Sequence, residues 1–377
     1  MTVLDDILLA DPRALTALDT GGVLRGAATA GAQVRSAAQG AADARVGDLA
    51  GARPRALVLV RRPGASGPAA GLLTAVLGPS SPVPVVVVDT VPSWIGPLDV
   101  VIAHTADAND VELADGVAFA VRRGAEVVLS APTDGPVASA GAGRARLVEQ
   151  RIPVPPGLDL PRALAVGLVV VSSLELLSSP LDPGLDVLAD QLDTEAERNQ
   201  PAHEPFMNPA KSLALRLADR TPLLWGTDPL GAAAAVHAAG ALATHAGVVA
   251  HADEVGRAAT ATGLLRAIDH AARESDVFHD PFDDPDGGAE APPPRLVLLA
   301  TGEEDPGQVT LRRAGRMWQS ADVVHPVDEI ARGVPHAPLL RAGLLASRFD
   351  VAAVYLGLAT RSIDPGHLST GAGREES

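Results

Sequence analysis

The polar residues at positions 104 to 110, between two apolar stretches, are the first candidates for chemistry in this sequence. After His104 they include one hydroxyl group, one amide and two carboxylates, on Thr105, Asn109, Asp107 and Asp110. Hydroxyl and amide groups at the start of a helix can bind an anion, whereas paired carboxylates can transfer protons or hold a metal ion. Asp and Asn are also the preferred residues of turns and helix caps, so a purely local role explains them equally well.

The apolar stretches on either side predict where these side chains lie. Val100 to Ala103 is a short apolar run, typical of a parallel strand that is buried on both faces. Apolar residues from Val111 to Val121 recur at helical spacing, and a second strand is expected from Glu126 to Ser130. In a parallel sheet, ligands bind where the carboxyl ends of the strands meet helix N-termini. The sequence therefore places the candidate site at the carboxyl edge of a parallel sheet.

Two arginines after the first predicted strand could supply positive charge to the same edge. The strand covers Ala56 to Val60 and runs into Arg61, Arg62 and a turn rich in Gly and Pro that contains Ser66. A guanidinium group binds carboxylates and phosphates through paired hydrogen bonds, so both arginines are candidates for anion binding. Ordinary surface charge is the alternative interpretation of both.

Alternating strands and helices over the whole chain predict an α/β protein with two successive parallel sheets. We expect a helical N-terminal segment at 1–50, a first α/β domain at 51–180, a hinge at 181–209, a second α/β domain at 210–365 and a disordered tail at 366–377. The second domain is expected to contain strands at 222–225, 247–250, 296–300 and 322–325, with a helix from 254 to 271.

Composition excludes several classes of protein. The 377 residues include no cysteine, so disulfide bonds, thiolate metal sites and cysteine nucleophiles are ruled out. A formal net charge of -16 and an aromatic content of 2% argue against nucleic acid as a partner. The most apolar segment, 163–177, is shorter than a bilayer span and is interpreted as a buried helix, so no membrane partner is expected. No signal peptide is visible, and we expect a cytoplasmic protein.

The sequence contains no pattern for a common cofactor or metal. No predicted strand is followed by G-x-G-x-x-G, and G-x-x-x-x-G-K-[ST] does not occur, so we expect neither a dinucleotide nor ATP. None of the ten histidines forms an i, i+4 pair with a nearby glutamate, so no metal site is predicted either.

Three stretches resemble the bifunctional phosphoglucose/phosphomannose isomerases, which have two sugar isomerase (SIS) domains in tandem. They are 91–96, which reads Val-Pro-Ser-Trp-Ile-Gly, then 152–163 with its Pro-Arg-Ala at 161–163, and 348–365 with Arg-Phe-Asp at 348–350. The resemblance implies two SIS-like domains, each a five-stranded parallel sheet flanked by helices. It also implies a homodimer and a ligand crevice between the domains or across the dimer.

The same resemblance implies a phosphosugar-binding protein that interconverts glucose 6-phosphate or mannose 6-phosphate with fructose 6-phosphate. In that family a Ser-Tyr-Ser-Gly-Asn-Thr loop holds the phosphate, and the corresponding positions here are 105–110. Thr105 and Asn109 are retained, Ser66 is the nearest match to a serine of the family's first loop, and Asp107 and Asp110 are carboxylates. Such carboxylates repel a phosphate at close range unless a cation, such as Arg61 or Arg62, offsets their charge.

Aldose–ketose isomerisation requires a base, an acid that opens the sugar ring, and a cation for the developing negative charge. By resemblance these roles fall to Glu254, His279 and Arg162, in that order. The two loop carboxylates leave an alternative open: a catalytically inactive SIS protein that binds a sugar phosphate or a less anionic sugar derivative and acts in regulation or as a scaffold.

Overall fold

The computed structural model describes residues 4–141, 143–181, 184–274 and 292–363, which divide into two compact units. Of these residues, Arg25 to Ala196 form the first unit, and the second consists of those up to Leu24 together with those from Glu197 onward. Each unit contains its own parallel sheet with helices packed against it. The predicted fold class, α/β with parallel sheets flanked by helices, is therefore confirmed.

The sheet of the first unit has apolar central strands and a more polar strand at one edge. Its five strands are β1 (Ala56–Val60), β2 (Val85–Val88), β3 (Asp99–His104), β4 (Glu126–Ala131) and β5 (Arg146–Glu149). All neighbours are parallel, in the order β2-β1-β3-β4-β5. The central strand β3 is buried along its whole length, as a continuous apolar run predicts.

Helices precede and follow this sheet in the chain; of the N-terminal ones, the first two lie within the second unit and the fourth within the first. Those at the N-terminus are α1 (Asp6–Ala10), α2 (Pro12–Leu18), α3 (Val23–Ala27) and α4 (Ala30–Asp43), followed by a short 3-10 turn at Val46–Leu49. Those that follow are α5 (Ser66–Leu77), α6 (Val111–Arg122), α7 (Pro136–Ala140), α8 (Leu160–Ser173) and α9 (Gly184–Arg198). The segment interpreted as a buried helix lies mainly in α8, which is indeed buried on most sides.

The second unit repeats the arrangement with a smaller sheet. Its strands are β6 (Thr221–Gly226), β7 (His251–Glu254), β8 (Pro294–Leu299) and β9 (Asp322–Val324). They are parallel and lie in the order β7-β6-β8-β9. Its helices are α10 (Pro209–Leu217), α11 (Pro229–Ala246), α12 (Val255–Ala258), α13 (Thr262–Glu274), α14 (Pro306–Ala314) and α15 (Ala337–Ala359).

The prediction of five strands in each sheet is wrong for the second unit, where the described residues form four. In the first unit, β5 lies between β4 and α8. The corresponding stretch of the second unit, 325–336, contains Pro326, Gly333 and Pro335 and forms no strand. Proline has no N–H group for the hydrogen-bond ladder of a sheet, so this stretch is a poor fifth strand.

Two further boundaries in the second unit were predicted wrongly. The strand expected at 247–250 begins instead at His251, because Gly247 ends α11 in the left-handed conformation with φ 64°. The helix expected from 254 to 271 is two helices, α12 and α13, with a break at 259–261.

Helix α15 is the core helix of the second unit and packs against α10 and α11. Within the described residues it is the one helix with the length and hydropathy of a membrane span, and its apolar window is completely buried inside the protein. Complete burial against other helices is typical of the core of a globular domain. The cytoplasmic location expected from the sequence stays a prediction.

Candidate functional site

The carboxyl ends of β1, β3 and β4 bring together polar residues that are far apart in the sequence. Arg62 and Ser66 follow β1, the segment 104–110 follows β3, and Ser130 lies near the end of β4. Since β3 pairs with both β1 and β4, these side chains share one edge of the first sheet. This is the edge at which the sequence placed the candidate site.

Arg62 and Asp110 form a two-fold hydrogen-bonded ion pair at this edge. Nε of Arg62 donates to Oδ2 of Asp110 at 2.7 Å, and Nη2 donates to Oδ1 at 2.8 Å. Asp110 also caps α6, because its Oδ1 accepts the backbone N–H of Leu113 at 3.0 Å. Burial raises the pKa of Asp110, but the hydrogen bonds from Arg62 and Leu113 outweigh burial, and the pKa lies below its ordinary value. The cation sought for the loop carboxylates is thus Arg62.

The other residues predicted to bind ligand make local hydrogen bonds that shape the two loops. Oγ1 of the buried Thr105 accepts the N–H of Asp107 at 3.0 Å, and Oδ1 of the exposed Asp107 accepts the N–H of Asn109 at 2.8 Å. The hydroxyl of Ser66 donates to the carbonyl of Arg62 at 2.7 Å. Arg61 forms an exposed ion pair with Asp89 at 2.9 Å, as the surface-charge interpretation expects.

A buried hydrogen-bond network that sequence reasoning missed lies at the ends of β3 and β4. Nδ1 of His104 is 3.0 Å from Oγ of Ser130, and Nε2 is 2.7 Å from Oδ2 of Asp159. Burial lowers the pKa of His104, so its ring is neutral at neutral pH. Because a carboxylate can only accept, Nε2 carries the proton, and Nδ1 then accepts from the Ser130 hydroxyl. The sequence offered one signal for this network: a polar residue, His104 or Ser130, at or near the end of each of two apolar strands.

Arg162, the retained arginine of the Pro-Arg-Ala sequence, lies beside this network in the first turn of α8. Its Nη2 is 3.7 Å from Oδ2 of Asp159, which is an ion pair without a hydrogen bond. Only 4% of the residue is exposed, yet none of its three guanidinium nitrogens has a hydrogen-bond partner. Burial lowers the pKa of Arg162, but a guanidinium group stays protonated in proteins. A buried cation with unused donors is unfavourable unless something else binds it.

The two other predicted catalytic residues are placed differently. Glu254 ends β7 in the second unit, where its carboxylate pairs with Arg313 and lies 4.0 Å from Nη1 of Arg257. His279 lies outside the described residues, so its role stays a prediction.

The carboxyl edge of the second sheet holds its own carboxylate, that of Asp228 after β6. It accepts the backbone N–H groups of Gly231 at 2.8 Å, Thr301 at 2.8 Å and Gly302 at 3.1 Å, and the Thr301 hydroxyl at 2.5 Å. Glycine at 231 permits this arrangement, because a Cβ there would lie 2.5 Å from the carbonyl oxygen of Leu299. Helix α11 consequently starts directly against the end of β8.

A completely buried arginine, Arg341 on α15, holds the loop after β8 in place. Its Nε and Nη2 donate to the carbonyl of Ile330 at 3.0 and 2.8 Å. Its Nη1 donates to the carbonyls of Thr301 at 2.9 Å and Gly302 at 3.0 Å, and to Glu303 at 3.0 Å. All three nitrogens therefore have partners, unlike those of Arg162.

The first edge contains cationic donors and no cluster of metal-type ligands among the residues that the structure describes. Over the ranges that the structure describes, no three His, Asp or Glu side chains form a group that could hold a metal. At the first edge, both ring nitrogens of His104 and the hydroxyl of Ser66 already have protein partners. The guanidinium group of Arg162 has donors that no protein group uses, and such donors bind carbonyl and anionic oxygens.

Comparison with known proteins identifies the fold. Residues 206–370 match the family of the bacterial phosphoglucose isomerase C-terminal SIS domain. No curated protein sequence matches the chain. Among solved structures, tagatose-6-phosphate ketose/aldose isomerase from Escherichia coli aligns with a TM-score of 0.57 and 13% identity, over 89% of this chain and 92% of that chain.

Two further structures give the same result. The C-terminal domain of glucosamine-fructose-6-phosphate aminotransferase from Francisella tularensis aligns with a TM-score of 0.58 and 10% identity, over 90% of this chain and 96% of that chain. A proposed phosphosugar isomerase from Silicibacter pomeroyi aligns with a TM-score of 0.59 and 16% identity, over 91% and 99%. The chain therefore has the SIS-like fold of these proteins, and its second half resembles the SIS domain of bacterial phosphoglucose isomerases.

Proposed function

We propose that the protein binds a sugar phosphate or a related sugar derivative at the carboxyl edge of its first sheet and acts as an aldose–ketose isomerase. Arg162 is the observation that carries the proposal. Its guanidinium group is buried, charged and without a hydrogen-bond partner, so an oxygen-rich anionic ligand would satisfy donors that the protein leaves unused. The fold supports the same class of ligand, because the names of structures that share it refer to 6-phosphorylated sugars.

In the proposed reaction a base removes the proton from C2 of the open-chain aldose and returns it at C1, while the hydroxyl proton passes from O2 to O1, so that the C1 carbonyl becomes a hydroxyl and C2 becomes the carbonyl of the ketose. The intermediate enediolate carries negative charge on oxygen, which a guanidinium group in a buried site stabilises strongly. Arg162 takes this role. The neutral ring of His104 donates a hydrogen bond to the carboxylate of Asp159, and this bond keeps the carboxylate at a fixed position beside Arg162.

Further roles in this mechanism extend the predictions made from the sequence. Glu254 stays the candidate base that the sequence suggested, and its carboxylate is paired with Arg313 in the second unit. His279 is our candidate for opening the sugar ring. Thr105, Asn109 and Ser66 are candidate contacts to the sugar, and the active protein is expected to be a homodimer.

Binding and turnover test the proposal with one variant and one control. Arg162→Met removes the cation but keeps much of its volume, whereas Arg35→Met removes an exposed arginine that pairs with Asp190 and Asp193. We expect glucose 6-phosphate or mannose 6-phosphate to raise the Tm of the wild type saturably, and Arg162→Met to weaken that binding at least about tenfold. Arg35→Met should bind like the wild type.

A coupled assay for fructose 6-phosphate then separates the two candidate functions. Turnover that Arg162→Met abolishes supports the isomerase. Saturable binding without turnover in the wild type would leave the inactive sugar-binding protein. Binding that is unchanged in Arg162→Met would contradict the proposed site.

A further inference from the structure

We propose that His104 is a positioning residue, which binds the carboxylate of Asp159 and thereby keeps the guanidinium group of Arg162 available to an anionic oxygen of the ligand. Asp159 and Arg162 lie three residues apart at the start of α8, so without His104 they would pair with each other. This inference rests on the proposed function, since it explains how the site keeps its cation available.

The carboxylate of Asp159 has two possible partners, and it contacts the weaker one. Its Oδ2 lies 2.7 Å from Nε2 of His104 but 3.7 Å from Nη2 of Arg162. A hydrogen bond between a guanidinium group and a carboxylate has an N–O distance of about 2.7–2.9 Å and is stronger than a bond to a neutral donor. Charge alone therefore favours the opposite arrangement, in which Asp159 pairs with Arg162.

Ser130 fixes the hydrogen-bond donor that holds the carboxylate. Oγ of Ser130 lies 3.0 Å from Nδ1 of His104, and its hydroxyl proton satisfies that nitrogen. The proton of the neutral ring is then on Nε2, which faces Asp159. The three residues are at most 5% exposed, so solvent does not compete for the bond between His104 and Asp159.

Asp159 also differs from the capping aspartates Asp110 and Asp228. Each of these accepts a backbone N–H in the first turn of its helix, whereas Asp159 precedes α8 without such a bond. The second residue of α8 is Pro161, which has no N–H group to offer. The side-chain oxygen of Asp159 faces His104 instead, so the side chains around it determine its position.

Loss of the imidazole donor would change the state of Arg162. A buried carboxylate without its hydrogen bond is attracted strongly to the nearest cation, and Arg162 lies within one side-chain rotation of Asp159. The pair that forms would use guanidinium donors and cancel their charge. An anionic ligand would then have to displace Asp159, so its affinity would fall although none of its own contacts had been removed.

Substitutions at positions 104 and 159 test this competition, with the affinity for glucose 6-phosphate as the measurement. His104→Leu removes the donor and should weaken binding at least about tenfold. His104→Gln keeps an N–H group near the place of Nε2 and should bind like the wild type. His104→Leu/Asp159→Asn removes the competing charge as well, so its affinity should return to within about threefold of the wild type.

The recovery in the double variant separates a positioning role from a purely structural one. If His104 only stabilised the fold, removal of a second buried polar group would not restore binding. His237→Leu is the matched control, because it breaks a buried histidine–aspartate pair of the second unit, in which Nε2 lies 2.8 Å from Oδ1 of Asp350. It should lower the stability and leave the affinity unchanged.

A double-mutant cycle with Asp159→Asn and Arg162→Met tests the competition without a ligand. Urea denaturation measures the coupling of the two residues in the wild type and in His104→Leu. Expressed as a ratio of unfolding equilibrium constants, the coupling should be at least about tenfold larger in His104→Leu. If His104→Leu does not fold, His104→Asn replaces it, since its amide can reach Ser130 but is too short to reach Asp159.

Two binding results would overturn the inference: equal affinity in the wild type and His104→Leu, or a double variant that binds no better than His104→Leu. A wild type that does not bind glucose 6-phosphate would contradict the proposed function. The cycle then decides the inference by itself, because equal coupling in both backgrounds would show that His104 does not keep Asp159 from Arg162. Failure of the inference and failure of the proposed function are therefore distinguishable.

Discussion

A buried arginine lies at the carboxyl edge of each sheet, and the two differ in what they bind. Arg341 in the second unit uses all three nitrogens on carbonyl oxygens and one carboxylate. Arg162 in the first unit is buried nearly as deeply, but its nitrogens have no hydrogen-bond partner. Burial alone therefore does not distinguish Arg341, which holds a loop in place, from Arg162, which we propose binds ligand. The use of their donors does.

The two carboxylates that cap α6 and α11, those of Asp110 and Asp228, differ in the groups that hold them. Asp228 is held by backbone N–H groups and the hydroxyls of Thr227 and Thr301, whereas Asp110 is held mainly by the charge of Arg62. Fixed backbone donors make Asp228 part of the framework of the second unit. A guanidinium group can exchange one anion for another, so the first unit is the place to look for ligand selection.

The largest effect is expected for Arg341→Met. The substitution leaves the carbonyls of Thr301 and Ile330 without their donor in a buried setting, whereas the carbonyl of Gly302 keeps Nε2 of His325 at 3.0 Å. We expect the free energy of unfolding to fall by about 3–5 kcal/mol. Urea denaturation measures this loss of unfolding free energy. The stability of Arg341→Lys should lie between those of the wild type and Arg341→Met, because lysine keeps the charge but not the planar guanidinium group. A loss below about 1 kcal/mol for Arg341→Met would show that the hydrogen bonds of the Arg341 guanidinium group do not stabilise the fold.

A smaller loss is expected for Asp228→Ala. The variant removes a helix cap and leaves the N–H groups of Gly231, Thr301 and Gly302 without their acceptor. We expect a loss of about 2–3 kcal/mol in unfolding free energy. Amide hydrogen exchange at Thr301 and Gly302 should accelerate as well. Unchanged exchange at these two amides would contradict the framework role of Asp228.

His104→Gln should change the pH dependence of stability. Burial lowers the pKa of His104 in the folded state, so the unfolded chain binds more protons at mildly acidic pH. The stability linked to neutral His104 is therefore present above about pH 6.5 and is lost as the pH falls below it. Urea midpoints between pH 5 and 7 should fall less steeply for His104→Gln than for the wild type. Equal slopes would contradict the direction of this pKa shift.

The smallest change in stability is expected for Arg162→Met, and this variant discriminates best between the roles of the two buried arginines. Removal of a desolvated cation that makes no hydrogen bond offsets the loss of its ion pair with Asp159. We expect the unfolding free energy to stay within about 1 kcal/mol of the wild type. A loss as large as that of Arg341→Met would show that Arg162 is a structural residue too.

Sequence patterns predicted those parts of the fold that depend on local burial. The strands β1, β3, β4 and β8 are continuous apolar runs, and Asp110 precedes an amphipathic helix, so both their type and their place were readable. The edge strands β5 and β7 were missed or misplaced. An edge strand is exposed along one side, so Arg146 and Glu254 are tolerated there and the apolar signal is lost.

The amino-acid sequence by itself determined two α/β units, a polar loop at a sheet edge and an arginine in the first turn of an apolar helix. Only the tertiary structure decided the partners of these groups. Arg62 meets Asp110 across 48 residues and His104 meets Asp159 across 55, because strand order brings separate loops to one edge. The local spacing of apolar residues indicates which face of a helix or strand is buried. The pairing of polar groups that are distant in the sequence depends instead on the order of the strands in the sheet. That Arg162 remains without a hydrogen-bond partner could likewise be seen only once every neighbour had its place.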